Sequence, residues 1–256
     1  MISFALINEK GGSGKTTLAV NIASYFALYK NQKVLLVDMD PQGQSGKALG
    51  LNVRELDNTV FEAITGEVPI KDCIYETGID KLSILPSNKS LIKLPIILAN
   101  STERDLKLKK VLSKLRKYDV IIIDSPPSLG LMSFNVMAAV KNIIIPVSLT
   151  YLAMDGTAEI IETIDTLKEA NHLNELSIFM MIPTMYRKTR LANEILNSLY
   201  NHFPQFVSKN IIPMNVKIDE AQSFGKTIWE YSPKSKGAEI LKKLAEEIWQ
   251  KAKSKK

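Results

Sequence analysis

The stretch Ile2-Ser-Phe-Ala-Leu-Ile-Asn-Glu-Lys-Gly-Gly-Ser-Gly-Lys-Thr-Thr17 decides how the rest of the chain is read. It is a short apolar run, a glycine-rich loop from Lys10 to Thr17, and then a segment of helical period from Lys15 to Tyr29. A strand that turns through glycines into a helix is the context a phosphate-binding loop requires. The glycines let the backbone turn tightly enough for successive amides to face an anion, and the helix N-terminus adds partial positive charge. On this reading Gly11, Gly12, Ser13 and Gly14 cradle phosphate, Lys15 reaches the β- and γ-phosphates of a nucleotide, and the Thr16 hydroxyl holds Mg²⁺, with Thr17 completing the loop.

Outward from that loop, short apolar blocks alternate with longer helical segments. Strands are expected at Ile2–Ile7, Lys33–Asp38, Leu82–Leu85, Asp119–Asp124, Asn142–Val147, Ser177–Ile182 and Asn210–Ile212. Helices are expected at Lys15–Tyr29, Thr102–Tyr118, Leu131–Val140, Asp155–Ala170, Leu191–His202 and Lys236–Lys253. Several strands are unbroken Val/Ile/Leu runs, as buried parallel strands are. The fold class is therefore α/β, with a mostly parallel central sheet covered by helices on both faces. At 256 residues, with no repeat or long linker, the chain is expected to form a single domain over residues 1–256.

Two further segments bring carboxylates to strand ends. Lys33-Val-Leu-Leu-Val-Asp38-Met-Asp40-Pro-Gln-Gly43 ends a strand with two acids. Ligands of open α/β sheets gather at such carboxyl ends, and two residues apart on extended chain the pair would share a face. In Tyr118-Asp-Val-Ile-Ile-Ile-Asp124-Ser-Pro-Pro, an apolar strand delivers Asp124 to support Mg²⁺.

One position departs from an ordinary phosphate loop: Lys10 stands at its start. With that lysine, the run is similar to the deviant Walker A box of the ParA/MinD/Soj ATPases, a family of P-loop NTPases. The resemblance implies that Lys10 contacts ATP phosphates of a partner subunit across a sandwich homodimer, acting in trans much as an arginine finger does. It implies that Asp40, in a segment resembling the family's first switch, positions the attacking water. Asp38 is left to orient loop groups or the metal's waters. Ser125-Pro-Pro127 resembles the second switch. Ile211-Ile-Pro213-Met-Asn-Val-Lys217 and Tyr231-Ser-Pro-Lys-Ser-Lys-Gly-Ala-Glu239 resemble late segments of the ParA/Soj branch, so the likeness runs from Ile2 to about Ala252. Pro213 is carried over as a nucleotide contact. Lys217, with Lys188 or Arg190 in Arg187-Lys-Thr-Arg190, is carried over as a contact to non-specific double-stranded DNA. Met214 stands where relatives often carry arginine.

The resemblance further implies a partitioning ATPase, cytoplasmic and nucleoid-associated, whose hydrolysis is triggered by a ParB-like centromere-binding partner. The alternative is a MinD-like regulator that associates with membrane or positions protein cargo. The charge distribution bears on that choice. The net charge is +6, yet from Met185 onward there are 14 Lys/Arg against 7 Asp/Glu, so the excess sits in the last quarter. Lys251, Lys253, Lys255 and Lys256 make a lysine-rich tail, and the remainder suits a polyanion-binding face. The last helix carries an apolar stripe (Ile240, Leu241, Leu244, Ala245, Ile248, Trp249, Ala252), expected to pack on the sheet rather than on lipid. No apolar run approaches the roughly 20 residues of a membrane span. A lone Cys73 allows no intrachain disulfide, and it cannot supply the two cluster ligands per subunit of a nitrogenase-type iron protein. A metabolic ligase of this loop type would want a substrate pocket, for which the sequence has no separate signature. Because the first strand starts at Ile2, no DNA-reading helix-turn-helix is expected ahead of it.

Overall fold

The computed structural model describes residues 1–150, 153–171 and 173–254. Lys255 and Lys256 of the lysine-rich tail lie outside the described residues. Seven strands form one sheet: β1 (Ile2–Leu6), β2 (Val34–Asp38), β3 (Tyr75–Glu76), β4 (Leu82–Leu85), β5 (Val120–Asp124), β6 (Asn142–Ser148) and β7 (Ser177–Thr184). Their spatial order is β3-β4-β2-β5-β1-β6-β7, parallel throughout except for the two-residue β3 at one edge. The helices are α1 (Lys15–Lys30), α2 (Gln44–Ala48), α3 (Val60–Thr65), α4 (Leu94–Ile97), α5 (Lys107–Leu112), α6 (Leu131–Ala138), α7 (Ala153–Asn171), α8 (Arg190–His202), α9 (Val216–Ser223), α10 (Ile228–Tyr231) and α11 (Lys236–Ser254).

Alternation along each strand divides the core between the two faces of the sheet. Phe4, Leu6, Leu36, Ile122 and Ile144 pack with α1, α10 and α11 on one side. Ala5, Ile7, Val37, Ile123 and Ile145 pack with α3, α5, α6 and α7 on the other. Central strands buried on both faces read as continuous apolar runs for this reason. The apolar stripe of α11 is spent in this core: Leu241, Leu244, Ala245 and Ile248 are at most 1% exposed. Among the described residues, no helix is long and apolar enough to cross a membrane.

Two sequence expectations are corrected. The segment at Asn210–Ile212 is not a strand. It runs along the outer edge of β7 through isolated bridges at Val207 and Pro213 only. At Lys209 and Asn210 the chain leaves the ladder, because the Lys209 amide and the Asn210 side chain donate to the Glu247 carboxylate of α11, and it returns where the Ile212 amide donates to Pro183 O. The helix expected over Thr102–Tyr118 shrinks to α5. Glu103 sits in the left-handed region at φ 52°, which no continuous helix tolerates, and the buried Asn135 captures the Arg104 carbonyl and the Leu108 amide that would extend it.

Candidate active site

At the carboxyl end of β1 the loop turns through Gly12 and Gly14, both left-handed at φ 73° and 89°, and Gly14 caps α1. An L side chain is strained at either position, so the two glycines are what let the loop amides converge. Three side chains brace the loop from outside. The Asn8 carboxamide accepts from the Lys10 amide (2.7 Å) and donates to Pro146 O on β6 (2.6 Å). Thr184, at the end of β7, donates to Ser13 O (2.8 Å). Gln222 on α9 donates to the Thr17 hydroxyl (2.9 Å).

Lys15 is only 7% exposed, and its ammonium donates to the Lys10 carbonyl at a long 3.3 Å. Desolvation lowers its pKa, while Asp124 and Asp40 pull in the opposite direction. A nearly buried ammonium held by one long neutral hydrogen bond is poised for an anion. The Lys10 ammonium, which is exposed, lies on the Thr150 hydroxyl (3.1 Å) at the rim.

β2 and β5 run side by side in a register that puts Asp38 directly opposite Asp124. Both are fully buried. Asp124 Oδ2 accepts from the hydroxyls of Thr16 (2.7 Å) and Ser45 (2.9 Å), whereas Oδ1 has no hydrogen-bond partner among the described residues. Burial pushes its carboxyl up to about 6 despite those two donors and Lys15. Asp38 is occupied differently: Oδ1 accepts the Asp40 amide and Oδ2 the Ser45 amide, both at 3.0 Å. Its carboxyl also lies well above the usual range, through burial and then the facing Asp124. The two acids of the second segment do not share a face as expected. The strand stops at Asp38, and the next turn folds the Asp40 amide back onto it, leaving Asp40 half-buried near Lys15 with Oδ1 on the Gln42 amide.

The donor set fits a magnesium nucleotide. Thr16 and the unpartnered Asp124 oxygen offer a hard, oxygen-only corner, Lys15 faces it, and Ser13 Oγ is a second buried atom without a partner. Pro213 lies against the loop from the other side, lining a narrow cleft of about 30 Å³ with Gly14, Thr17 and Asn215. The remaining sequence candidates, Lys188, Arg190 and Lys217, are exposed. Arg190 pairs with Glu194, and Lys217 with Glu220. Ser45, Thr184 and Gln222 went unread in the sequence. Only Ser45 left a signal there: a hydroxyl shortly after a strand-end acid, opening a short helix.

A glycine loop with an extra lysine, a strand-end aspartate on the loop's threonine, and a parallel sheet behind them define a P-loop ATPase of the deviant Walker type. The comparisons agree. The AAA domain family matches residues 1–178. Soj, the sporulation initiation inhibitor of Bacillus subtilis, is 36% identical over 247 residues, 95% of this chain and 96% of that protein. The chromosome-partitioning ATPase Soj of Treponema pallidum is 37% identical over 96% of both chains. Among solved structures, cobyrinic acid a,c-diamide synthase of Mycobacterium smegmatis with a bound ATP analog and magnesium superposes with a TM-score of 0.89 at 28% identity, covering 100% of this chain and 97% of that one. The chain belongs to the Soj/ParA family of partitioning ATPases within the ParA/MinD superfamily. It is an ATPase, and its cofactors are ATP and Mg²⁺.

Proposed function

We propose that the chain, folded as a single domain, binds ATP and pairs with a second copy, that this dimer holds double-stranded DNA without regard to sequence, and that a ParB-like centromere-bound partner accelerates hydrolysis and release. The observation that carries the reading is the seating of the basic surface on the nucleotide loop. The strand–helix connection holding Arg187 and Lys188, which leads into α8 at Arg190, follows directly from Thr184, which grips Ser13. Helix α9, holding Lys217, carries the Gln222 that grips Thr17. The two basic segments touch each other where Tyr186 bridges Pro213 and Arg187 Nε donates to Met214 Sδ (2.7 Å). Arg187 joins the proposed DNA contacts on that ground.

In this reading Thr16 and Asp124 hold the metal through hydroxyl and carboxylate, Lys15 neutralises phosphate charge, and Asp40 orients the attacking water. Bound Mg²⁺ supplies charge neutralisation at the transferring phosphoryl group. Asp38 fixes the turn that carries Asp40 through the Asp40 and Ser45 amides, one on each of its oxygens. Lys10, at the rim on Thr150, reaches the partner's nucleotide. The MinD-like alternative needs an apolar face for lipid, and the stripe on α11 is already buried in the core. Co-sedimentation with plasmid DNA and with anionic liposomes, each with and without ATP, tests the reading. ATP-dependent DNA binding is expected, and pelleting with liposomes alone would overturn it.

A further inference from the structure

Beside the turn that follows Asp40 lies a concave pocket of about 500 Å³ lined by Pro41, Gln42, Lys47, Val53, Arg54, Asn88, Lys89 and Ser90. Three cations and no carboxylate line it. Lys47 donates to Gln42 O (2.6 Å), which fixes its ammonium on the pocket wall. Among the described residues, none of Lys47, Arg54 and Lys89 makes an ion pair, although Glu55 and Asp57 lie on the same loop. The wall is rigid. A Cβ on Gly43 would lie 2.6 Å from the Ser87 carbonyl, and one on Gly46 would lie 2.5 Å from Val53, so the turn and the pocket floor are packed without slack.

The pocket continues into an apolar ridge. Lys89, Ile92 and Ile96 follow one another at spacings of three and four along the helical turns from Lys89 to Ile97, which aligns them on one face. Ile92, Ile96 and Ile97 are 59%, 79% and 51% exposed, while Leu91 and Leu94 between them are buried. Exposed large apolar residues grouped beside unpaired charges mark a binding surface.

We propose that this pocket and ridge dock an acidic, amphipathic segment of a partner protein, its carboxylates meeting Lys47, Arg54 and Lys89 and its apolar face covering Ile92, Ile96 and Ile97. Charge complementarity selects the anion, and the ridge selects a peptide over nucleic acid. A phosphate backbone tracks an open basic face and gains nothing from three isoleucines. Whatever seats there presses on the turn that carries Asp40. The pocket shares no lining residue with the proposed DNA contacts, and the inference does not rest on them.

The test is fluorescence anisotropy at low salt with the full chain and a fluorescein-labelled fourteen-residue peptide of Glu and Leu at helical spacing. Its counterpart with Lys for Glu, and a labelled DNA duplex, serve as competing probes. The acidic peptide should bind at least about tenfold tighter than the lysine peptide. The combined reversal Lys47→Glu, Arg54→Glu, Lys89→Glu should abolish that preference. Ile92→Ser with Ile96→Ser should weaken binding several-fold while the thermal midpoint stays unchanged. Reversal at the distant exposed Lys114→Glu, and Lys217→Ala, should leave peptide affinity as in the wild type. Equal binding of the two peptides, or unaltered binding by the triple reversal, overturns the proposal. So does a triple reversal that costs affinity for the duplex while no peptide binds, since the surface would then belong to nucleic acid.

Discussion

Asp124 shows most directly how the site is held ready. Its carboxyl lies opposite Asp38, shielded from water, with one oxygen saturated and the other unpartnered. Burial raises its pKa to about 6 from an ordinary 3.8. Between those values the folded chain holds a proton that the unfolded chain has lost, so stability falls as pH rises through roughly 4 to 6. At neutral pH the ionised, metal-free site therefore costs up to about 3 kcal/mol. Asp124→Asn should remove that cost, raising the nucleotide-free thermal midpoint at pH 7 by several degrees and flattening its pH dependence below 6, while Mg²⁺-dependent turnover is lost. Calorimetry from pH 4 to 7 on both proteins checks this, and a steeper slope in the variant would contradict it. Asp40→Ala should keep ATP binding and lose hydrolysis, because only water positioning is removed; turnover equal to wild type would refute the role. Lys15→Ala should abolish nucleotide binding, as its buried ammonium has no substitute. Lys10→Ala should retain monomer affinity and lose ATP-dependent pairing, measured by light scattering, and a Lys10 variant that pairs normally would be a plain surface lysine. All these side chains were legible in the sequence because each motif had a strand-end or loop context. The division of labour between Asp38 and Asp40 was not, since it depends on where the backbone folds back after β2.

At the scale of elements, the parts that were legible are those whose stability is local or periodic. β2 and β5 are unbroken apolar runs up to a terminal aspartate, β1 and β4 are broken only by one serine each, and α1 and α11 carry enough turns to show their character. The segments that misled are governed by distant partners: Asn135 on α6 ends the helix before α5, and Glu247 on α11 draws Lys209 and Asn210 out of the sheet. The same kind of distant contact makes α9 more than a surface helix. Gln222 on α9 holds the Thr17 hydroxyl, while Asn21 one turn along α1 receives the Ile228 amide and the Trp229 indole. A nucleotide that reorients Thr17 therefore acts on the helix that carries Lys217. Gln222→Ala should reduce the ratio of DNA affinity with ATP to that without, by up to about tenfold for one lost neutral hydrogen bond. The fold should persist, because α9 keeps its Asn215 cap and its buried Ile218 and Ala221. A ratio equal to wild type, measured by filter binding in both nucleotide states, would reduce this contact to packing.

For the whole molecule, the proposed function would use the uneven charge to turn a nucleotide switch into a reversible grip on a polymer. After Met185 the net positive charge sits in the connections that flank α8 and α9, on α11 and in the tail, while α8 itself is neutral and α9 is net −1. If these side chains meet phosphates, binding should ignore base sequence and fall steeply with salt, each contact adding a slope of roughly −0.9 in log K against log salt. A two-fold dimer doubles each contact, so Lys217→Ala should flatten the slope by up to about 2 units, equally for every duplex tested. Lys217 must leave Glu220 to do this, an exposed pair that holds it only weakly. Arg190→Ala should act in the same direction, since its pairing with Glu194 is as exposed. Lys255→Ala, in the tail, should change the slope less. Turnover without DNA should survive in the Lys217 and Arg190 variants, because these side chains pair with Glu220 and Glu194 rather than with the phosphate loop. A salt series on the ATP-bound wild type and Lys217→Ala decides the matter. Identical slopes would remove α9 from the DNA surface, and an absence of binding even at low salt would remove DNA itself.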